Sequence, residues 1–130
     1  MPVQTIAEYS VRASGIAKVK RAIADFLPYI EANEPGTKVY AAWQRQDDPT
    51  RFVHVFIFED EAARQIHGAS AAMKRFEAAY GPELIEGPLV FTDYDLIGSK
   101  GMWPDAVTGV PRLPDDEGKT PDELDASNDE

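Results

Sequence analysis

One predicted strand, FVHVFIF, carries a histidine among large apolar side chains and could support acid–base chemistry. Alternate side chains of a strand point to opposite faces, so His54 shares a face with three phenylalanines. These are Phe52, Phe56 and Phe58. A buried imidazole needs a hydrogen-bond partner. If the first strand alternates as its sequence indicates, Glu8 faces the same side and forms a Glu8–His54 acid/base pair.

The three phenylalanines have two interpretations. As a cavity wall, they would suit a planar, apolar ligand that binds by stacking and by burial of apolar area. As core residues, they would pack against the helices, and this interpretation fits Phe52 best. His54 has two alternatives as well, a catalytic role or a structural hydrogen bond, because its register against the first strand is open.

A second histidine lies on a predicted helix. His67 follows Ala63 by four residues and precedes Ser70 by three, which places it at the edge of the apolar stripe. It is either a site residue or a structural hydrogen-bond partner that closes the domain. No Gly-x-Ser-x-Gly segment accompanies Ser70, so a hydrolase is not indicated. Metal-ligand spacings and Gly-rich phosphate loops do not occur, so we expect neither a metal nor a cofactor.

The elements that must position these residues follow the order β-α-β-β-α-β. Residue patterns predict strands at 3–12, 37–46, 51–59 and 88–98, and helices at 15–33 and 61–80. Pro28 is expected to kink or divide the first helix. The order predicts an α+β, ferredoxin-like fold, in which a four-stranded antiparallel sheet, ordered 4-1-3-2, carries both helices on one face. The stripe of the second helix is Ala63, Ile66, Ala69, Met73, Phe76 and Tyr80.

Both faces of the third strand are apolar, because Val53, Val55 and Ile57 lie opposite the phenylalanines. Two helices can cover only one face of the sheet. We therefore expect a second copy of the chain to cover the other face in a homodimer, the alternative being a monomer with some apolar surface. On the second strand, Tyr40 and Trp43 fall on opposite faces, so only one of them can line a cavity.

Composition excludes several classes of partner. The 130 residues carry a net charge of -10, whereas nucleic acids and anionic membranes require a basic surface. No apolar run of about 18 or more residues and no secretory signal pattern occur, and a cytoplasmic protein without disulfides is expected. Residues 99–130 are acidic and proline-rich, which predicts a mostly disordered tail after a domain at residues 1–98.

The segment NEPGTKVYAAWQRQDDPTRFVHVFIFEDEAARQIHGAS resembles the antibiotic biosynthesis monooxygenase family of dimeric α+β barrels. The resemblance covers roughly residues 3–97. It implies a homodimer with a cavity between the sheet and the helices of each subunit. Some members oxidise hydroquinones or anthrones with dioxygen, without metal or flavin, and others degrade heme. The matching positions are Glu34-Pro35-Gly36, Tyr40, Asp48-Pro49, Phe52, Asp60, Ala63, His67 and Ser70.

Two departures from family patterns narrow what the resemblance implies. Quinol-oxidising relatives often have a glutamate at the position of Phe56, so this cavity is expected to be drier and to lack one possible base. Heme-degrading relatives use an asparagine, a tryptophan and a histidine at positions that look like Glu8, Phe58 and Tyr80 here, so heme is not expected.

The resemblance therefore implies a cofactor-independent monooxygenase that oxidises a phenolic or quinol-like molecule with dioxygen. The expected partners are a small aromatic molecule and a second copy of the chain. Alternatives are a non-enzymatic binding or interaction module of the same fold, and an oxygen-independent isomerase or lyase. The candidate catalytic residues are His67, His54 and Glu8, and the candidate substrate contacts are Phe52, Phe56, Phe58, Trp43 and Tyr80.

Overall fold

A computed structural model of the chain describes residues 1–101. The four strands form one antiparallel sheet in the order β2-β3-β1-β4. This order confirms the predicted α+β, ferredoxin-like fold. None of the described helices is both long and apolar enough to span a bilayer. The elements are β1 (Val3–Val11), α1 (Ile16–Asn33), β2 (Thr37–Gln44), β3 (Arg51–Phe58), α2 (Glu61–Ala69), α3 (Ala71–Tyr80) and β4 (Leu84–Tyr94).

The prediction of one continuous second helix is wrong, because Ser70 divides this segment into α2 and α3. Ser70 has an extended backbone, and its hydroxyl accepts a hydrogen bond from the Met73 amide at 3.0 Å, which caps α3. The break changes the helical phase, so the predicted stripe fails at Ile66 and Ala69, whereas Ala63 is buried as predicted. Ile66 is 62% exposed there, whereas His67 is buried.

Two other features of the elements can be compared with the prediction. Pro28 lies inside α1 and does not divide it, so of the two expected effects only the kink stays a prediction. The last strand begins at Leu84 rather than at residue 88. Glu86 and Gly87 adopt positive φ values of 62° and 102° at the irregular segment where the register against β1 shifts, and the strand is paired with β1 on both sides of it. Such a bulge lets the chain stay paired on both sides of an irregular segment.

The strand register assigns each side chain to a face of the sheet. Directly opposed residues of antiparallel strands share a face. Ala7 opposes His54, and Tyr40 opposes Phe56, so all four face the helices. The opposite, open face of the sheet carries the residues that alternate with these.

The main core lies between the helix side of the sheet and helices α1 and α3. Phe52 is buried in it and stacks on Tyr9 with ring centroids 5.6 Å apart, which confirms its interpretation as a core residue. A smaller cluster of Phe56, Phe58 and Ala63 lies beside α2. The main core comprises Tyr9, Val11, Val19, Phe26, Ile30, Phe52, Ala72, Met73, Phe76 and Tyr80.

The first compact unit of the chain is Met1–Tyr94. Residues 95–101 contain no helix and no strand longer than a single bridge residue. The remainder of the predicted acidic tail, from residue 102 onward, lies outside the described residues, so the tail stays a prediction.

Candidate functional site

A cavity of about 300 Å³ opens between the helix side of the sheet and helices α2 and α3. This volume is at the lower end of the roughly 300–1,000 Å³ of small-molecule sites, and three phenylalanines and a methionine form the apolar part of the lining. The cavity therefore suits a ligand of one or two rings. Its lining comprises Thr5, Phe56, Phe58, Arg64, His67, Gly68, Met73, Glu77 and Phe91.

The last turn of α2 brings His67 to the cavity. Asp60 starts this helix by accepting a hydrogen bond from the Ala63 amide at 2.8 Å, and the Ser70 hydroxyl ends it by donating to the His67 carbonyl at 3.0 Å. The imidazole lies among aromatic rings, with centroids 4.8 Å from Phe56 and 5.3 Å from Phe58. Its position is thus fixed by helix capping and by packing.

His67 forms a buried pair with Glu34, a residue that the sequence indicated only as one of the positions matching the family pattern. Nδ1 of His67 lies 2.8 Å from Oε1 of Glu34, and the two residues are only 6% and 4% exposed. The same carboxylate oxygen accepts a 2.9 Å hydrogen bond from the Thr37 hydroxyl. A neutral imidazole that donates through Nδ1 to the carboxylate has its lone pair on Nε2.

The segment Glu34-Pro35-Gly36 explains how this pair forms. The Glu34 amide donates to the Ile30 carbonyl at 2.9 Å and ends α1. A Cβ atom at Gly36 would come within 2.6 Å of the Ala63 side chain, so only glycine allows the chain to pass this close to α2. The sequence signal for the pair was that Glu34-Pro35-Gly36 and His67 both match positions of the family pattern.

His54 lies in the aromatic core and is not part of the cavity lining. Its Nε2 is 2.7 Å from the Tyr9 hydroxyl, and its Nδ1 is 2.8 Å from the Tyr40 hydroxyl. A neutral imidazole has one N–H and one lone pair, so one hydroxyl donates to the ring and the other accepts from it. Both ring nitrogens are therefore occupied within the core.

The titration behaviour of this cluster agrees with a structural role. Burial lowers the pKa of His54 to about 4, so the ring is neutral at pH 7. Burial also raises the pKa of Tyr9 and of Tyr40 above the ordinary value of a tyrosine. An uncharged Tyr–His–Tyr network contributes hydrogen bonds to the core and offers no free base near neutrality.

The predicted Glu8–His54 pair is wrong. Glu8 opposes Val53 in the sheet, whereas Ala7 opposes His54. The Glu8 side chain therefore projects from the open face, where it is exposed. A shift of one residue in register moves every side chain of a strand to the other face. When both faces of a strand are apolar, the sequence does not indicate which face is turned toward the helices.

The placement of Trp43 in the cavity is also wrong. Trp43 opposes Val53 on the open face and is 57% exposed, and Tyr40 faces the helices instead. Tyr80 is a core residue that stacks on Tyr9 at 5.6 Å and is not part of the cavity lining. Burial raises the pKa of Tyr80 to about 12.

Two of the predicted substrate contacts, Phe56 and Phe58, line the cavity. Their contact with a substrate stays a prediction. Within residues 1–101, no three histidine, aspartate or glutamate side chains are grouped in a way that could hold a metal ion.

Comparison with solved structures places the fold among known proteins. A candidate antibiotic biosynthesis monooxygenase from Caulobacter crescentus has a TM-score of 0.67 and 23% identity, and the match covers 72% of this chain and 88% of that chain. One from Nitrosomonas europaea has a TM-score of 0.67 and 23% identity, over 83% and 94%. A protein from Mycobacterium tuberculosis has a TM-score of 0.65 and 19% identity, over 73% and 94%. Identities this low show the fold alone.

Comparison of the sequence itself is more specific. No match was found among curated proteins. The sequence profile of the antibiotic biosynthesis monooxygenase family matches residues 2–79, which is more than half of the chain. The fold and the cavity between sheet and helices agree with what that resemblance implied, and the chain belongs to the antibiotic biosynthesis monooxygenase family.

Proposed function

We propose that the chain is a cofactor-independent monooxygenase in which His67 accepts the proton of a phenolic substrate. The observation that carries the proposal is the 2.8 Å hydrogen bond between Nδ1 of His67 and the buried Glu34 carboxylate, at an aromatic cavity. A general base needs a free lone pair within reach of the proton that it abstracts. Nε2 of His67 supplies that lone pair.

The reaction needs only the substrate and dioxygen. Removal of the phenolic proton makes the ring electron-rich enough to reduce dioxygen, one oxygen atom bonds to a ring carbon, and the other leaves as water. For 1-naphthol, the product is the naphthoquinone, which has gained one oxygen and lost two hydrogens. The aromatic walls at Phe56 and Phe58 exclude water and orient the ring while the proton moves.

Glu34 is a positioning residue in this proposal. It holds the His67 ring in one tautomer and stabilises the imidazolium that forms when the proton is accepted. The hydroxyl of Thr37 binds the same carboxylate oxygen and thereby restricts the rotation of the carboxylate.

Oxygen uptake with 1-naphthol tests the proposal, and ¹⁸O₂ shows whether the product gains labelled oxygen. We expect His67→Gln to lower kcat about 100-fold, in the range that general base catalysis contributes. Ile66→Gln is the matched control, because Ile66 is the exposed neighbour of His67 on the same helix. Equal oxygen uptake by the His67→Gln variant and the unaltered chain would exclude His67 as the base.

A second candidate is a non-enzymatic binding module, and the aromatic side chain of Phe56 in the cavity wall favours it. That position lacks the carboxylate that quinol-oxidising relatives often have. A ligand that binds and returns unchanged in air would support this alternative. Conversion that continues under argon would instead indicate an isomerase or a lyase.

A further inference from the structure

Arg64 bridges the mouth of the cavity. Its Nη1 is 2.7 Å from Oδ1 of Asp93 on β4, and its Nη2 is 2.8 Å from Oε2 of Glu61, three residues earlier on α2. Arg64 itself lines the cavity, as do the exposed residues Glu77 and Phe91. Since exposed lining residues mark where a cavity meets solvent, the opening lies between α2, α3 and β4.

The mouth has more negative than positive charge. Among the described residues that line the cavity, Arg64 is the only lysine or arginine and Glu77 is the only carboxylate. The two carboxylates that bind Arg64 add two further negative charges. The hydrogen bond from Arg64 lowers the pKa of Asp93 and of Glu61, so both are ionised at neutral pH. Lys74, the first cation along α3, is exposed and is not part of the lining.

We infer that the cavity selects uncharged aromatic substrates and rejects carboxylated ones at this mouth, an inference that rests on the proposed function of the cavity. A substrate carboxylate that paired with Arg64 would have to share the guanidinium with Asp93 and Glu61, which already bind it. It would then lie beside Glu77, and like charges in close contact oppose binding. An uncharged phenol neither competes for Arg64 nor is repelled by Glu77, and its ring packs against the aromatic walls of the cavity.

Binding of a matched pair of probes tests the inference, namely methyl 1-hydroxy-2-naphthoate and its free acid, which share one ring system and differ in charge. By calorimetry at about 0.01 M salt, we expect the ester to bind at least about tenfold more tightly than the acid, because the Debye length there is roughly 30 Å. At about 1 M salt, where the Debye length is roughly 3 Å, the difference in affinity between the ester and the acid should become smaller.

Variants locate the effect. Glu77→Gln and Asp93→Asn should each reduce the difference in binding affinity between the ester and the acid. The first removes a repelling charge, and the second frees Arg64 to bind the carboxylate of the acid. Glu31→Gln is the control, because Glu31 is an exposed carboxylate on α1 and is not part of the cavity lining. It should leave the ratio of the two affinities unchanged.

The outcomes separate this inference from the proposed function. Equal affinity for both probes, or tighter binding of the acid, overturns the selection of uncharged substrates alone. Failure of both probes to bind overturns the ligand-binding role of the cavity and this inference together. Preferential binding of the ester without oxygen uptake in the presence of 1-naphthol supports the selection of uncharged substrates and overturns the proposed monooxygenase activity.

Discussion

Glu34 and His67, 33 positions apart in the chain, are joined by a 2.8 Å hydrogen bond between Oε1 and Nδ1. The bond connects the end of α1 to the last turn of α2, where both side chains are almost fully buried. Neither helix could hold the imidazole in one orientation by itself. The pair thus contributes to the packing of the two helices and to the chemistry available in the cavity.

Loss of the Glu34 carboxylate should destabilise the fold. Glu34→Ala leaves the buried Nδ1–H of His67 without its acceptor, and we expect the free energy of unfolding to fall by about 1–3 kcal/mol. Urea denaturation followed by fluorescence measures the change. Glu31→Ala, on the exposed side of α1, should change it by less than about 0.5 kcal/mol. An equal decrease in the free energy of unfolding in the two variants would show that the hydrogen bond between Glu34 and His67 does not stabilise the fold.

The charge of Glu34 should matter to turnover more than its shape does. Glu34→Gln keeps an acceptor oxygen for Nδ1 of His67 but removes the charge that stabilises the imidazolium. With 1-naphthol we expect kcat to fall about tenfold while KM stays nearly constant, the pattern of an interaction made mainly in the transition state. A rise in KM at constant kcat would show that Glu34 only shapes the cavity.

Burial of His54 should make stability depend on pH. Its pKa is about 4 in the folded chain, against 6.5 for an unperturbed histidine, so between these values only the unfolded chain takes up the proton. Stability should therefore decrease as the pH falls from about 6.5 to about 4, by up to about 3 kcal/mol from this group. Urea denaturation at several pH values measures the slope. His54→Phe should have a shallower slope, and an unchanged slope would count against the lowered pKa.

Because the helices are divided at Ser70, we expect truncation of Ile66 and truncation of Phe76 to have very different effects on stability. Ile66→Ala should change the free energy of unfolding by less than about 0.5 kcal/mol, because the side chain is 62% exposed. Phe76→Ala should cost about 3–5 kcal/mol, because the ring is buried in the main core. Thermal or urea denaturation distinguishes them. A large loss for Ile66→Ala would support one continuous apolar stripe instead.

The homodimer stays a prediction, and the open face of the sheet is where it can be tested. Trp43, Val90 and Tyr94 are large apolar or aromatic side chains more than half exposed on that face. We expect light scattering to give twice the 14.4 kDa mass of the chain, and Trp43→Glu to give a folded monomer. Ile66→Glu, on a helix, should leave the dimer intact. A monomeric unaltered chain would contradict the prediction.

Apart from the division of the second helix at Ser70, the sequence by itself determined the order of the elements, the sheet order and the family. Those properties follow from local patterns, such as the alternation in FVHVFIF, the turn at Asp48-Pro49 and the spacing between Glu34-Pro35-Gly36 and His67. Each of these signals lies within a few dozen residues of chain. They do not depend on which face of a strand is turned inward.

Tertiary structure alone decided which side chains meet. Glu8 and Trp43 lie on the open face because the register sets the direction of every side chain, and strands that are apolar on both sides leave it unspecified. The break at Ser70 turned His67 rather than Ile66 inward. Glu34 reached His67 because Gly36 lets the two helix ends approach closely, a contact between distant segments that no local pattern encodes.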